Sequence, residues 1–548
     1  MVLTFIGAAR QVTGSCFILQ TEDSTVLIDC GMAQGKDDER GTCVDNLPIP
    51  IAIIDAVVLT HAHIDHSGML PLLVKRGYAG PVYCTAPTAN LCSIMLPDSG
   101  HIQEMEIEWK NRKRLRAGQS PIDPVYNAQD ALACLKNFKP CPYDTHREVT
   151  PDIRIRFAEA GHLLGSASVE VWVTEDGATE KVVFSGDIGA ANHPLIKDPA
   201  IIDRADYVVM ESTYGDRDRQ DPLSRKEVLA EYIRHTLRMQ GNLVIPSFAV
   251  GRTQELLYEI NQLLVSGQAP GLEDMPVYLD SPLAIQATQI FQKDYLQYYD
   301  QEALAYIDKY GDPLASPNLI YAQTADESKA INADQRPKII ISSSGMCEAG
   351  RVKHHLKHNL WREDSTILFV GYQAEGTLGR IISDGASKVR IFGEDIQVKA
   401  RIAKISGFSS HADHRELLGW VNMFHTPPSK VFVVHGSEQA ALHFAAELTQ
   451  QGQDAIAPGQ GWAYDTLTKE TNAEYAVFAQ PEPQHAHPEA PQRLRAVSKH
   501  VTGLLNQAQA LLEQQPSGAQ AGKVQDLQAD LEALWRKWQG VLKHNTAK

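Results

Sequence analysis

Short apolar runs that stop abruptly at polar clusters dominate the first 200 positions. Val26-Leu27-Ile28 stops at Asp29, Ala56-Val57-Val58-Leu59 stops at Thr60-His61, and Lys181-Val182-Val183-Phe184 runs into Ser185-Gly186-Asp187. Runs of this kind, rich in β-branched residues and bounded by Gly and Asp, predict strands, and the polar residues that follow lie at strand ends. From about residue 206 the texture changes. Apolar runs at 207–210, 242–245, 276–279, 338–342 and 366–370 now alternate with helical periodicity, as in 225–239, which predicts a parallel-sheet α/β unit. Near residue 395 short strands resume, at 400–405 and 430–434. The pattern predicts a strand-rich domain over 1–205, an inserted α/β domain over 206–394, and the returning part of the first domain over 395–470.

The rest of the chain reads differently. Residues 480–491 are rich in Pro, Gln, His and Ala, as in a linker. Two heptad patterns follow: Leu494, Val497, Val501, Leu504, Ala508 and Leu511, then Val524, Leu527, Leu531, Leu534, Trp538 and Val541. The Pro516-Ser517-Gly518 break between them predicts a C-terminal helical hairpin within 480–548. A lone hairpin buries little, so it is expected to dock on the body of its own chain or to pair with a second copy as a homodimer.

Length and composition narrow the class. At 548 residues the chain needs more than one domain, and 43% hydrophobic with 22% charged residues is usual for a soluble globular protein. No apolar run is long enough to span a bilayer, and no basic, apolar leader opens the chain, so a cytoplasmic location without membrane association is expected. None of the eight cysteines form a Cys-x-x-Cys pair, and free buried thiols are expected. The net charge of −16 excludes a protein that coats nucleic acid by bulk electrostatics, but not an enzyme that grips one strand locally.

The chemistry concentrates at Thr60-His61-Ala62-His63-Ile64-Asp65-His66-Ser67-Gly68. Three histidines and an aspartate follow a buried strand at once, and a helical run begins near Met69. Alternation in the extended stretch sends His61 and His63 the same way, while the turn lets Asp65 and His66 converge from another side. Imidazole and carboxylate suit zinc, and one short loop feeding two metals fits this spacing. Further ligands are available in Ala160-Gly161-His162 and Ser185-Gly186-Asp187-Ile188-Gly189.

The set Asp29, His61-x-His63-x-Asp65-His66, His162 and Asp187 resembles the metallo-β-lactamase fold. That resemblance implies an αββα sandwich in which His61, His63, His162 and Asp187 bind one zinc. Asp65, His66 and the bridging Asp187 bind the other, and Asp29 acts behind the ligands. Met210-Glu211-Ser212-Thr213-Tyr214-Gly215, Phe408-Ser409-Ser410-His411-Ala412-Asp413 and Val433-Val434-His435-Gly436-Ser437 resemble motifs A, B and C of the β-CASP nucleases within this fold. Gly371 to Arg380 resembles the same branch. The likeness covers roughly residues 1–465 and implies an inserted β-CASP domain, with His435 as a further ligand on the second zinc. A histidine in motif C is the pattern of the RNA-directed members, and the wording of the motifs is closest to bacterial and archaeal homologues of the pre-mRNA 3′-end cleavage endonuclease. No segment resembles the KH-type RNA-binding domains that precede the catalytic fold in many archaeal members.

The resemblance therefore implies a zinc-dependent ribonuclease with two Zn2+ per chain acting on single-stranded RNA. A hydroxide between the metals would attack phosphorus in line, leaving a 5′-phosphate and a 3′-hydroxyl. Endonucleolytic cutting is expected, with 5′-exonucleolytic cutting the other option. Asp65, Glu211, His411 and Asp29 form the candidate catalytic set, His411 as general acid with Glu211 fixing its tautomer. Arg252, Ser410, Ser437 and Tyr372 are the candidate substrate contacts. For Arg252 the alternative is a structural pairing with a carboxylate, and for Tyr372 it is packing. The basic run 110–116 could follow an RNA backbone or be a solvated helix face. A small-molecule thioester or lactam hydrolase of the same fold, and a non-catalytic scaffold, are the rival readings. The first has no use for Glu211 and His411, and the second does not require an intact ligand set.

Overall fold

Alternation within single strands decides how the layers stack. In the strand Ala178–Phe184, Val182 and Phe184 enter one apolar core and Val183 enters another. In Lys430–Val434, Phe432 and Val434 join the first core while Val431 and Val433 join the second. A strand with both faces apolar must be covered on both sides, and here one side meets a second sheet and the other meets helices.

The computed structural model describes residues 1–34, 41–218, 225–293, 296–371, 373–405 and 408–472. Among these, one sheet of eight strands runs in the order Glu470–Asn472, Trp462–Asp465, Val2–Gly7, Cys16–Gln20, Thr25–Ile28, Ala56–Val58, Val82–Thr85, Phe138–Cys141. A second, of seven strands, runs Ala455–Ile456, Lys430–Val434, Tyr207–Glu211, Ala178–Phe184, Ala167–Glu175, Ile153–Glu159, Arg147–Glu148. Between them lies a core containing Phe5, Phe17, Phe157, Phe184 and Phe432, with the Phe5 and Phe432 ring centroids 5.0 Å apart. Truncating one of these rings to alanine should cost about 3–5 kcal/mol. The helices Leu70–Lys75 and Ala86–Arg116 cover the outer face of the first sheet through Leu70, Leu73, Leu91 and Leu96. His414–Val421 and Glu438–Gln450 cover the second through Leu417, Trp420, Phe444 and Leu448. This is the αββα sandwich that the resemblance implied.

A third sheet is wholly parallel, in the order Leu319–Tyr321, Val277–Leu279, Lys338–Ser342, Asn242–Pro246, Thr366–Phe369, Arg401–Lys404. Helices Arg225–Met239 and Arg252–Ser266 pack on one face, and Val352–Asn359 and Leu378–Ser383 on the other. This is the expected inserted α/β domain, with one boundary moved. Tyr207–Glu211 belongs to the sandwich, paired in parallel with Ala178–Phe184 and Lys430–Val434, so the insertion begins after Glu211 rather than at 206. Arg401–Lys404, just after the expected return at 395, pairs with Thr366–Phe369 as an edge of the third sheet. A short apolar run reads alike in either sheet; only long-range pairing assigns it.

All eight cysteines are free and buried. Among the described residues no helix is long and apolar enough to cross a membrane. The expected linker, the C-terminal hairpin and Tyr372 lie outside the described residues.

Candidate active site

Strand direction gathers the site at one edge. Ala178–Phe184, Tyr207–Glu211 and Lys430–Val434 are mutually parallel, so Asp187, Glu211 and His435 emerge at the same end. Ile153–Glu159 is antiparallel to Ala167–Glu175, which is antiparallel to Ala178–Phe184, so the loop carrying His162 opens there too. In the first sheet Thr25–Ile28 and Ala56–Val58 are parallel and deliver Asp29 and the His61–His66 loop. Backbone bonds lock these loops together: Cys30 N–H donates to the His66 carbonyl, Ser15 N–H to that of Asp65 and Met32 N–H to that of Ile64. A Cβ on Gly31 would lie 1.7 Å from the Asp65 carbonyl oxygen, so only glycine fits.

Seven side chains form two clusters that share one carboxylate. In the first, His61 Nε2 is 3.0 Å from His63 Nδ1, His162 Nε2 is 3.2 Å from His63 Nδ1, and Asp187 Oδ2 is 3.4 Å from both His61 and His162 Nε2. In the second, Asp187 Oδ1 is 3.1 Å from His66 Nε2 and 3.5 Å from His435 Nε2, and Asp65 Oδ2 is 3.4 Å from His435 Nε2. A tetrahedral ion with ligands at about 2.0–2.1 Å sets ligand-to-ligand edges of about 3.4 Å. Both clusters have edges of that length.

The donor atoms also carry the right protonation. Asp29 accepts the Thr60 N–H at 2.8 Å and the Thr60 hydroxyl at 2.9 Å, and its Oδ2 faces His66 Nδ1 at 2.7 Å. A carboxylate only accepts, so His66 Nδ1 bears the proton and Nε2 is left to bind a metal. Thr213 Oγ1, 3.1 Å from His435 Nδ1, plays the matching part at the second cluster. Burial first, and neighbouring imidazoles second, lower the pKa values of His61, His63 and His162, that of His63 to about 3, so these rings stay neutral. Asp187 Oδ1 is buried with no hydrogen-bond donor among the described residues. A buried carboxylate oxygen surrounded by imidazole nitrogens calls for a cation. Protons compete for the same places: against the cost of burial, Asp187 and Asp29 raise the pKa of His66, and Asp187 with Asp65 raises that of His435.

Glu211 and His411 stand against the first cluster. His411 Nδ1 lies 3.1 and 3.2 Å from the two Glu211 oxygens, and its Nε2 is 4.0 Å from Asp187 Oδ2. Glu211 is fully buried and accepts the Ile188 N–H at 2.6 Å. The Ala412 N–H donates to the Ile188 carbonyl at 2.8 Å, and Gly189 forms a bridge with His411, so one loop positions both members. Gly189 is obligatory, because a Cβ there would lie 1.9 Å from the Gly161 carbonyl oxygen. Burial opposes the His411 charge, but the Glu211 carboxylate outweighs it and lifts the pKa to about 10.

Asp29, His61, His63, Asp65, His66, His162, Asp187, Glu211, His411 and His435 are thus brought together. The expected substrate contacts fare differently. Arg252 is buried, paired with Glu255 at 2.7 Å and set over the Phe408 ring, so its charge is spent inside the protein. This is the structural alternative. Ser437 is the N-cap of Glu438–Gln450, its hydroxyl accepting the Ala440 N–H. Ser410 lies beside His411 and accepts the Ala190 N–H through its carbonyl. The basic run occupies the exposed last turns of Ala86–Arg116, on the order of 40 Å along the helix from its start beside the His162 loop. Sequence reading missed the hydroxyls of Thr60 and Thr213. Their signal was a Thr directly before the first histidine and another two residues after the motif A glutamate.

Comparison with known proteins agrees with this geometry. The metallo-beta-lactamase superfamily profile matches residues 9–214, the Beta-Casp domain residues 253–382, and the Zn-dependent metallo-hydrolase RNA specificity domain residues 395–458. Ribonuclease TTHA0252 of Thermus thermophilus is 34% identical over 450 residues, covering 82% of this chain and 96% of the relative. Transcription termination factor FttA of Methanocaldococcus jannaschii is 34% identical over 454 residues, covering 81% and 68%. FttA of Thermococcus kodakarensis is 32% identical over 464 residues with the same coverage. Relatives at this identity and coverage, together with the three matched domains, place the chain in the β-CASP family of metallo-β-lactamase-fold nucleases.

Proposed function

We propose that this chain is a zinc-dependent ribonuclease that cuts single-stranded RNA endonucleolytically, with two zinc ions held per chain. His61, His63, His162 and Asp187 would hold one ion, and Asp65, His66, His435 and Asp187 the other. Bound zinc supplies Lewis acidity and lowers the pKa of water, so that hydrolytic attack proceeds near neutral pH.

The observation that carries the reading is the Glu211–His411 pair, with Glu211 buried and His411 facing Asp187, the carboxylate that both clusters share. A hydrolase of strained amides or thioesters needs the ligands but not this pair. At neutral pH His411 holds protons on both nitrogens, because its pKa lies well above 7. Glu211 accepts one from Nδ1, which aims the Nε2 proton toward the ligand clusters. There His411 donates to the departing 3′-oxygen, leaving a 3′-hydroxyl and a 5′-phosphate. RNA as substrate is supported by the RNA specificity domain match, which spans Ser410, His411, His435 and Ser437, and by the ribonuclease among the relatives.

The test is a single-stranded RNA labelled separately at each end, incubated with zinc-loaded wild type and with His411→Ala. Internal fragments that disappear in the variant are expected. Mononucleotides released from the 5′ end would replace endonuclease with exonuclease. No cleavage by the wild type would return the chain to the small-molecule hydrolases.

A further inference from the structure

The loop after the strand Asn242–Pro246 turns a phenylalanine outward. Phe248 is 44% exposed, yet the loop around it is tied down by hydrogen bonds. Thr253 donates to the Phe248 carbonyl at 2.6 Å, Gln254 donates to the Ala249 carbonyl at 3.2 Å, and Val250 is buried. The ring is seated as well as exposed. A Cβ on Gly345 would lie 3.1 Å from Phe248 Cδ2, and one on Gly371 would lie 3.9 Å from its Cε2. Two loops from neighbouring strand ends therefore lack side chains where the ring rests.

The loop that carries Phe248 meets the loop that carries His162. Three residues on, Gly251 has a positive φ of 80° and a Cβ direction that meets Leu163 Cδ1 at 3.1 Å. Leu163 follows the ligand His162, and Gly251 and His162 line one small cavity. From Gly251, three residues span at most about 11 Å. An isolated exposed apolar residue is commonplace. A seated, exposed ring on a loop that touches the metal-ligand loop of a phosphodiesterase has a specific use, because bases flanking the scissile bond present flat faces and need a platform. A buried Arg252 and a ring at the rim also suit a site that reads bases by stacking rather than phosphates by charge, in a chain of net charge −16.

We infer that Phe248 is a stacking platform for a nucleobase flanking the scissile phosphate, and that it sets binding of the single strand without preference for base identity. The inference rests on the ribonuclease reading above. Stacking is tolerant of sequence because every base has a π-face, and losing it should weaken binding about 5- to 100-fold.

Binding of a single-stranded RNA oligomer is measured in the His411→Ala background, which preserves the zinc ligands and prevents turnover. Phe248→Ala should lose 5-fold or more in affinity and Phe248→Leu should behave similarly. Phe248→Trp should retain affinity and add, above the fluorescence of the seven native tryptophans, a component that RNA quenches. An oligomer carrying one abasic nucleotide, moved stepwise past the cleavage position, should bind the parent weakly at one register. The same oligomer should cost Phe248→Ala nothing there. In otherwise wild-type protein, KM for RNA should rise more than kcat falls. Equal affinity of Phe248→Ala and its parent, or an abasic penalty the same in both, overturns the assignment and leaves the ribonuclease reading intact. Failure of zinc-loaded wild type to cut RNA overturns both.

Discussion

His411 points Nδ1 at both oxygens of Glu211, at 3.1 and 3.2 Å, while its Nε2 lies 4.0 Å from Asp187. The imidazole is thus held between a carboxylate that keeps it charged and a carboxylate shared by two ligand clusters. Removing the ring by His411→Ala should lower kcat about 10²- to 10⁴-fold, the span of general acid catalysis. Glu211→Gln gives the sharper check. The His411 pKa stands near 10 because Glu211 outweighs burial. With that charge gone, only Asp187 and Tyr214 still oppose burial, and the pKa falls toward the ordinary 6.5. The acid form would then be lost in the neutral range, so the variant should lose more activity at pH 8 than at pH 6. A kcat–pH profile of unchanged shape would remove Glu211 from this role.

Asp187 is the single residue common to both clusters, one oxygen to each. Asp187→Ala should therefore release metal from both, whereas His435→Ala should weaken only the second. Metal content after gel filtration is expected to approach two zinc per wild-type chain, one in His435→Ala, and little in Asp187→Ala. Because protons compete for His66 and His435, zinc uptake should release protons and weaken as the pH is lowered. Equal zinc content in wild type and Asp187→Ala would contradict a shared ligand.

Asp29 touches no metal position, yet it decides which nitrogen His66 offers. It sits at φ 59°, an uncommon conformation for a residue other than glycine, and spends both oxygens on Thr60 and His66. Asn has one acceptor oxygen, so Asp29→Asn must sacrifice either the Thr60 N–H or the His66 Nδ1–H. Zinc affinity should fall about 10- to 100-fold, mainly at the second cluster, without loss of fold. A competition titration against a chelator measures it, and unaltered affinity would make the Asp29–His66 contact incidental.

How much of this was visible in the chain depends on distance along it. The candidate ligands announce themselves because they gather within a few residues of the ends of buried strands, as His61 does after Ala56–Val58 and His435 after Lys430–Val434. The sheet membership of Tyr207–Glu211 and Arg401–Lys404 was not legible, because these strands reveal their sheets only through partners remote in sequence. The structural pairing of Arg252 was hidden for a related reason. Its partner Glu255 is only one helical turn away, but the burial that makes this pairing decisive comes from Phe408 and the packed helix around it. Phe248 escaped notice because its surroundings are defined by two glycines far away, Gly345 and Gly371, that nothing local connects to it.

Glu159 offers a test of the scaffold rather than the chemistry. It closes the strand that leads to His162, is 9% exposed, and accepts the Gly161 N–H at 2.9 Å. Burial raises its pKa from 4.5 to about 8, more than the bonds from Gly161 and Tyr143 lower it. Below pH 4.5 the carboxyl is protonated in both folded and unfolded chains and contributes no pH dependence. Between 4.5 and about 8 the unfolded chain releases the proton that the folded chain keeps, so stability falls as the pH rises through this window. Glu159→Gln keeps an acceptor for Gly161 and cannot ionise. The variant should therefore gain on the wild type with rising pH, by on the order of 1 kcal/mol per unit, and the gain should level off above pH 8. Denaturant unfolding of both zinc-loaded proteins at pH 6, 7, 8 and 9 reads the difference directly. Parallel stability curves across that range would mean that Glu159 ionises in the folded state as freely as it does in the unfolded one.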